Sequence, residues 1–315
     1  MKAPPARSRT WSVAEIEARV VRYAALKPCY NAFIDTRTPG SEAKENFTII
    51  GPGVSENPAQ HVHITYPHGF NIGGARQPPG CVNSQHSHDT AEVFIVHSGT
   101  WRFDLGEHGD DAQVLVAPGD VISLPTKTFR GFTNVGDDTG FLFAVLGQDN
   151  PGRVLWAPDV FDLAKEHGLV LLETGQLIDT VAGEHVPADA VPMPTTSRDQ
   201  IAALTRFAQA DAEALVWRSE AGTGSYATAI IGEAGPLDWE HGFDVERIDL
   251  AAGGEIAIVP PEAAEVLFVH EGALTLAWPE GQIALAPGDT ITVPLGLDRS
   301  LSSRSGCAVY CVRGN

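Results

Sequence analysis

The sequence predicts an all-β-dominated chain of two jelly-roll barrels in tandem, with an N-terminal helix and a partly helical linker. Three observations carry this. Gly 32 and Pro 22 among 315 residues, with only 19% charged, suit short strands and many turns better than long helices. Apolar runs such as "VFIV", "VLVA", "VISLP" and "FLFAVLG" are short and are separated by turn residues. The chain also repeats itself. "EVFIVHSGTWRF" at Glu92 returns as "EVLFVHEGALTL" at Glu265, an offset of 173 residues (265 − 92), and "HGF" at His68 returns at His241 with the same offset. Gly80 and Gly253 share it, while "APGD" recurs at Ala117 and Ala286, four residues closer. Ordered matches at nearly one spacing mean two copies of one unit.

The elements follow in order. Residues 1–45 form an N-terminal helical extension, because "SVAEIEARVVRYAAL" opens with Ser12 and Glu15 at capping-box spacing. Residues 46–150 form the first barrel. Residues 151–211 link the two copies, with a short helix near Val160–His167 and another in "SRDQIAALTRFAQA", where Ser197 and Gln200 repeat the capping spacing. Residues 212–315 form the second barrel.

A net charge of −19 argues against nucleic acid or an anionic membrane as partner, since both reward Lys/Arg patches. No apolar run approaches the roughly 18–20 residues of a membrane span, and the N-terminus lacks the apolar core of a signal peptide. Cys29, Cys81, Cys307 and Cys311 make no CxxC pair and read as free thiols in a reducing cytoplasm. Cys81 lies five residues before His86 and reads as a small buried hydrophobe.

The chemistry concentrates in "GCVNSQHSHDTAEVFIVHSG". His86 and His88 alternate onto one face of a strand, and Glu92 follows across a short turn. Two imidazoles and a carboxylate suit a divalent transition metal. These residues resemble the cupin superfamily, whose first motif, G-x5-H-x-H-x3-E-x6-G, is met at every fixed position by Gly80, His86, His88, Glu92 and Gly99. The second motif, G-x5-P-x-G-x2-H-x3-N, is met by Gly119, Pro125 and Asn134, but Lys127 replaces its second glycine and Arg130 its histidine. The second copy keeps the frame with Gly253, Glu265, Gly272, Gly288, Pro294 and Gly296, and has Val259 and Pro261 where the histidines stood. Arg299 and Ser303 take the second motif's histidine and asparagine positions. The resemblance is to the two-barrel bicupins, and loosely to their gentisate-dioxygenase-like members.

The resemblance implies one divalent metal per chain, held by His86, His88 and Glu92, with Fe(II) foremost and Mn, Ni or Zn as alternatives. Arginine has no lone pair to give, so at most three family ligands remain, as in the two-histidine, one-carboxylate sites of non-haem Fe(II) oxygenases. Arg130 either clamps an anionic substrate in the pocket or pairs with a local acid. Arg299 at the same place in a copy without ligands suggests a habit of the scaffold. Gln85, Phe94, Arg102, Phe132 and Asn134 are further pocket candidates. His61 and His63 read as satisfied strand histidines, His97 as facing away from Glu92, and His68 and His241 as fold residues. The expected function is a dioxygenase acting on a small anionic, carboxylate-bearing substrate, with hydroxy-aromatic acids as one class of it. The alternatives are a redox-neutral lyase, isomerase or decarboxylase, with Tyr66 or His63 as base, and a non-catalytic binding protein. No nucleic acid or membrane partner is expected; the second barrel is expected to be structural and the chain a homo-oligomer, foremost a dimer.

Overall fold

The short apolar runs become strands whose alternate residues face inward. In the computed structural model, which describes residues 9–220 and 224–314, they build two units. One comprises Lys27–Ser219 with Trp239–His241; the other comprises the first 26 residues, Glu220–Asp238 and Gly242–Asn315.

The first unit holds two antiparallel-dominated sheets. In one, the strands run in the order Val216–Trp217, Val121–Leu124, Glu92–Ser98, Gly140–Gly147, Phe70–Gln77, Glu45–Ile50, Val62–Ile64. In the other the order is Val154–Trp156, Val82–His88, Arg130–Asn134, Trp101–Leu105, Ala112–Val116. The strand Gly140–Gly147 lies between two neighbours and is buried at every residue, which explains its unbroken apolar run. Along Trp101–Leu105 the inward residues Trp101, Phe103 and Leu105 are fully buried; each contributes roughly 1.5–3 kcal/mol of burial.

The second unit repeats this plan. Its sheets order as Val20–Val21, Thr290–Val293, Glu265–Gly272, Cys307–Gly314, Phe243–Leu250, Tyr226–Ile231, and as Glu255–Ile258, Arg299–Ser302, Leu274–Trp278, Gly281–Leu285. The two tandem jelly-roll barrels read from the sequence repeat are therefore the architecture.

The boundaries differ from expectation at two places. The N-terminal helix spans only Val13–Glu17, with the Ser12–Glu15 capping box intact. It stops because the β-branched pair Val20–Val21 leaves it to pair with Ile291 and Thr290 of the second barrel. Residues 1–26 are thus part of the second unit, not a separate extension. Conversely Val216–Trp217 pairs with Ile122 and Val121, so residues up to Ser219 complete the first barrel. These two edge straps are themselves a repeat. Arg22 Nη1 donates to Ala284 O and Asp289 at 2.8 Å each, and Tyr23 N to Asp289 at 3.0 Å. Arg218 Nη1 donates to Leu115 O at 2.7 Å and Asp120 at 2.8 Å, and Ser219 N to Asp120 at 2.9 Å. Arg22 also pairs with Glu17, and Arg218 with Glu213. The sequence signal is "EARVVR" against "EALVWR".

The linker is partly helical, with helices at Pro158–Glu166 and Arg198–Ala202. It is not free: Trp156, Val160, Ala164 and Leu169 pack with Ile34 and Phe129 in a core of the first unit. Among the described residues no helix is long and apolar enough to cross a membrane.

Candidate metal centre

His86 and His88 project from the strand Val82–His88 in one direction because their spacing is two. That strand is flanked by Arg130–Asn134, with Arg130 opposite His86, and by Val154–Trp156, with Trp156 opposite His86 and Val154 opposite His88. Glu92 starts the strand after the turn, between Leu124 and Leu146 on its neighbours. The donor atoms of His86, His88 and Glu92 lie within 4.8 Å of one another, and all three side chains are buried.

The donors fit a metal. His86 Nδ1 lies 2.7 Å from Ser84 O. A carbonyl only accepts, so Nδ1 carries the proton and Nε2 keeps its lone pair. Ser84 is fixed in turn, its N donating to Asp35 Oδ2 at 3.0 Å, while Asp35 forms a fully buried ion pair with Lys44. His88 Nδ1 is buried without a hydrogen-bond partner, and its Nε2 stands 3.6 Å from Glu92 Oε2. Burial, reinforced by the Arg130 cation, pulls the His86 imidazolium down to about 3 and that of His88 well below its ordinary value. Both rings are therefore neutral, as metal ligands must be. Burial raises the Glu92 carboxyl above its usual range, and Arg130 opposes that.

Arg130 is not in the pocket. It is 1% exposed, and its Nε and Nη2 both donate to Glu92 Oε2, the former at 3.2 Å. Its Nη1 donates to Thr128 O at 3.2 Å and His86 O at 3.4 Å. The expected substrate clamp is corrected: the guanidinium is spent on a ligand, because its strand places it across from His86 and beside Glu92. The second barrel repeats the arrangement. Arg299 pairs with Glu265 and its Nη1 donates to Val259 O at 3.1 Å and Leu297 O at 3.4 Å, the counterparts of His86 and Thr128. There a second guanidinium, Arg313, reaches Glu265 Oε2 at 2.9 Å. Arg313 sits opposite Glu265 as Leu146 sits opposite Glu92.

The three donors line a pocket whose empty space, counted out into the open solvent at its mouth, is about 640 Å³. Phe94 and Phe132 line it. Three other candidates are engaged elsewhere. Gln85 Nε2 donates to Asp104 O, Arg102 pairs with Asp104, and Asn134 Nδ2 ties Gln77 O to Asp138 O at a turn. His97 stands edge-on to Phe141 outside the pocket, and His63 Nε2 accepts from Lys27 N at 3.3 Å. Tyr66 is exposed and stacks on His68, and His241 is bonded to Ser123 Oγ at 2.6 Å. Neither proposed base, Tyr66 or His63, lines the pocket. Sequence reasoning missed Asn46, Thr48, Gln60 and Trp156, which do. The alternation of Asn46 and Thr48 along an apolar strand was the available signal. The Trp156 ring lies tilted against His86 with centroids 5.3 Å apart, and its Nε1 donates to buried Glu56 at 2.6 Å.

Residues 75–146, the heart of the first barrel, match the family model described as Cupin domain. No curated protein matches the chain in sequence. Among solved structures, the chain is similar to vicilin from Corylus avellana (hazelnut), with TM-score 0.55 and 14% identity over 95% of this chain and 85% of that one. It is similar to the oxalate decarboxylase of Lactobacillus farciminis, with TM-score 0.57 and 10% identity over 94% and 86%. It is also similar to a salicylate 1,2-dioxygenase from Pseudaminobacter salicylatoxidans, with TM-score 0.53 and 16% identity over 93% and 82%. At such identities the likeness establishes fold, and these three names show that the fold does not choose the activity. With a match to the Cupin domain model in its first barrel and the same plan repeated in its second, the chain has the fold of the two-barrel cupin structures it resembles.

Proposed function

We propose that this chain is a metal-dependent enzyme, a dioxygenase of the non-haem Fe(II) type acting on a small oxygen-bearing aromatic substrate. The observation that carries the reading is the ligand set itself. His86, His88 and Glu92 supply three donors, and the place of a fourth is taken by a guanidinium that cannot coordinate. When bound, Fe(II) would take substrate oxygen and O2 at the positions left open.

The chain's own part is to hold the donors. Ser84 fixes the His86 tautomer, and Arg130 fixes the Glu92 carboxylate through one oxygen. Apart from His86, His88 and Glu92, no side chain among the described residues that line the pocket titrates, so none of them serves as a separate base. An enolising lyase or isomerase needs such a base, and that favours the oxygenase. A substrate carboxylate would have to meet the metal, since neither Lys nor Arg lines the pocket.

Anaerobic reconstitution with Fe(II), followed by oxygen-electrode traces with hydroxy-aromatic and keto acids, tests the reading. Substrate-dependent oxygen uptake supports it. Bound zinc, nickel or manganese with no uptake under any condition replaces it with a redox-neutral reaction.

A further inference from the structure

Two neutral amides on the pocket wall carry unmet hydrogen-bonding capacity. Asn46 and Thr48 alternate on the strand Glu45–Ile50 and share one face. Both line the pocket, as does Gln60. Gln60 Nε2 donates to Thr48 Oγ1 at 2.6 Å, which orients the amide and leaves Oε1 as the free acceptor. Gln60 Oε1 is buried without a partner. Asn46 is 5% exposed, and its Nδ2 is likewise buried without a partner. Buried polar atoms in native folds are nearly always satisfied, by protein, by water or by ligand. Here one unmet donor and one unmet acceptor belong to two side chains that line the same cavity.

The rest of the wall says what they would meet. Phe33, Phe47, Phe94, Phe132 and Trp156 give it an aromatic lining suited to a flat ring. Among the described residues neither Lys nor Arg lines it, so a second anionic group on the substrate would be buried there without a countercharge from them.

We propose that Asn46 and Gln60 form a recognition subsite for an uncharged hydroxyl or amide group carried by an aromatic substrate. The Asn46 amide donates to that group's oxygen and the Gln60 carbonyl accepts its proton. The subsite therefore selects the neutral form of a ligand over an ionised one of the same shape. The inference rests on the pocket being the substrate site of the proposed oxygenase, and it names the substrate end remote from the metal.

The test uses two probes of matched shape, 4-hydroxybenzamide and 4-hydroxybenzoate, titrated calorimetrically into the purified protein, with metal content measured on the same samples. The amide is expected to bind tighter by about tenfold or more, equivalent to 1.4 kcal/mol. Asn46→Leu and Gln60→Leu should each remove most of that preference without changing metal content. Equal or tighter binding of the benzoate overturns the proposal. So does wild-type affinity in both variants, or failure of the protein to bind either probe at millimolar concentration. Metal-free protein that still prefers the amide would sink the oxygenase and keep the subsite, whereas metal-loaded protein indifferent to the pair would sink the subsite alone.

Discussion

At Arg130 the cupin motif would have a histidine, and the exchange alters what the neighbouring residues do. The guanidinium neutralises Glu92 inside the barrel and orients it, where a histidine would have added a ligand. Removing one member of a buried pair strands the other charge, at about 3–5 kcal/mol. Arg130→Ala should therefore lower stability by that order in urea titrations and reduce metal occupancy. A variant with unchanged stability and reduced affinity for an anionic substrate would restore Arg130 as a clamp. Glu56 makes a second residue-scale case. Burial pushes its carboxyl up to about 8 from an unfolded value near 4.5, although Trp156 Nε1 and Ile34 N both donate to it. Between those values the folded chain holds a proton that the unfolded chain has released. Stability therefore falls as pH rises through that window, by up to about 1.4 kcal/mol per pH unit, and levels off above about 8. Glu56→Gln keeps a neutral side chain, so melting temperatures of wild type and variant should converge or cross with pH across this range. Parallel curves would refute the raised value.

At the scale of elements, the turn before the Arg130 strand shows a departure with a cost. Lys127 occupies the motif's glycine position at φ 60°, in the left-handed region, where its counterpart Gly296 has φ 70°. The backbone contact recurs, Lys127 N to His88 O at 3.5 Å and Gly296 N to Pro261 O at 2.9 Å. A side chain in that region costs about 1–2 kcal/mol. Lys127→Gly should raise stability by up to about 1 kcal/mol, read from the urea midpoint; a lowered midpoint would mean that Lys127 makes a contact worth more than the strain. The strands and the two-barrel plan were legible because a period of two is a local signal and the repeat at an offset of 173 residues shows one plan used twice. The three candidate ligands were legible because the seven residues 86–92, from the end of one strand to the start of the next, carry them all. Arg130's partner was not, since it depends on cross-strand register. Asn46, Gln60 and Glu56 lie upstream of the motif and reach the pocket region only through tertiary packing. The straps were misread because Ser12 and Glu15 announce a helix correctly but say nothing of its length. The shared "EA-V-R" pattern would have found them.

Across the whole molecule the repeat supplies its own control. One plan is built twice, and its buried glutamate is served in two ways. Glu92 faces two neutral imidazoles and one arginine, whereas Glu265 is held by Arg299 and Arg313, with Val259 and Pro261 in the histidine positions. The second guanidinium supplies in one barrel the positive charge that a metal would supply in the other, which accounts for a second barrel without the ligand histidines. Since Leu146 holds the register of Arg313, Leu146→Arg would transplant that solution into the first barrel. The measurement that tests the central claim most directly is elemental analysis of purified wild type and Leu146→Arg, with circular dichroism on both. About one divalent transition metal per chain is expected in wild type and almost none in a folded Leu146→Arg. Wild type without metal, or a folded variant that retains it, would contradict the assignment of His86, His88 and Glu92 as the metal centre.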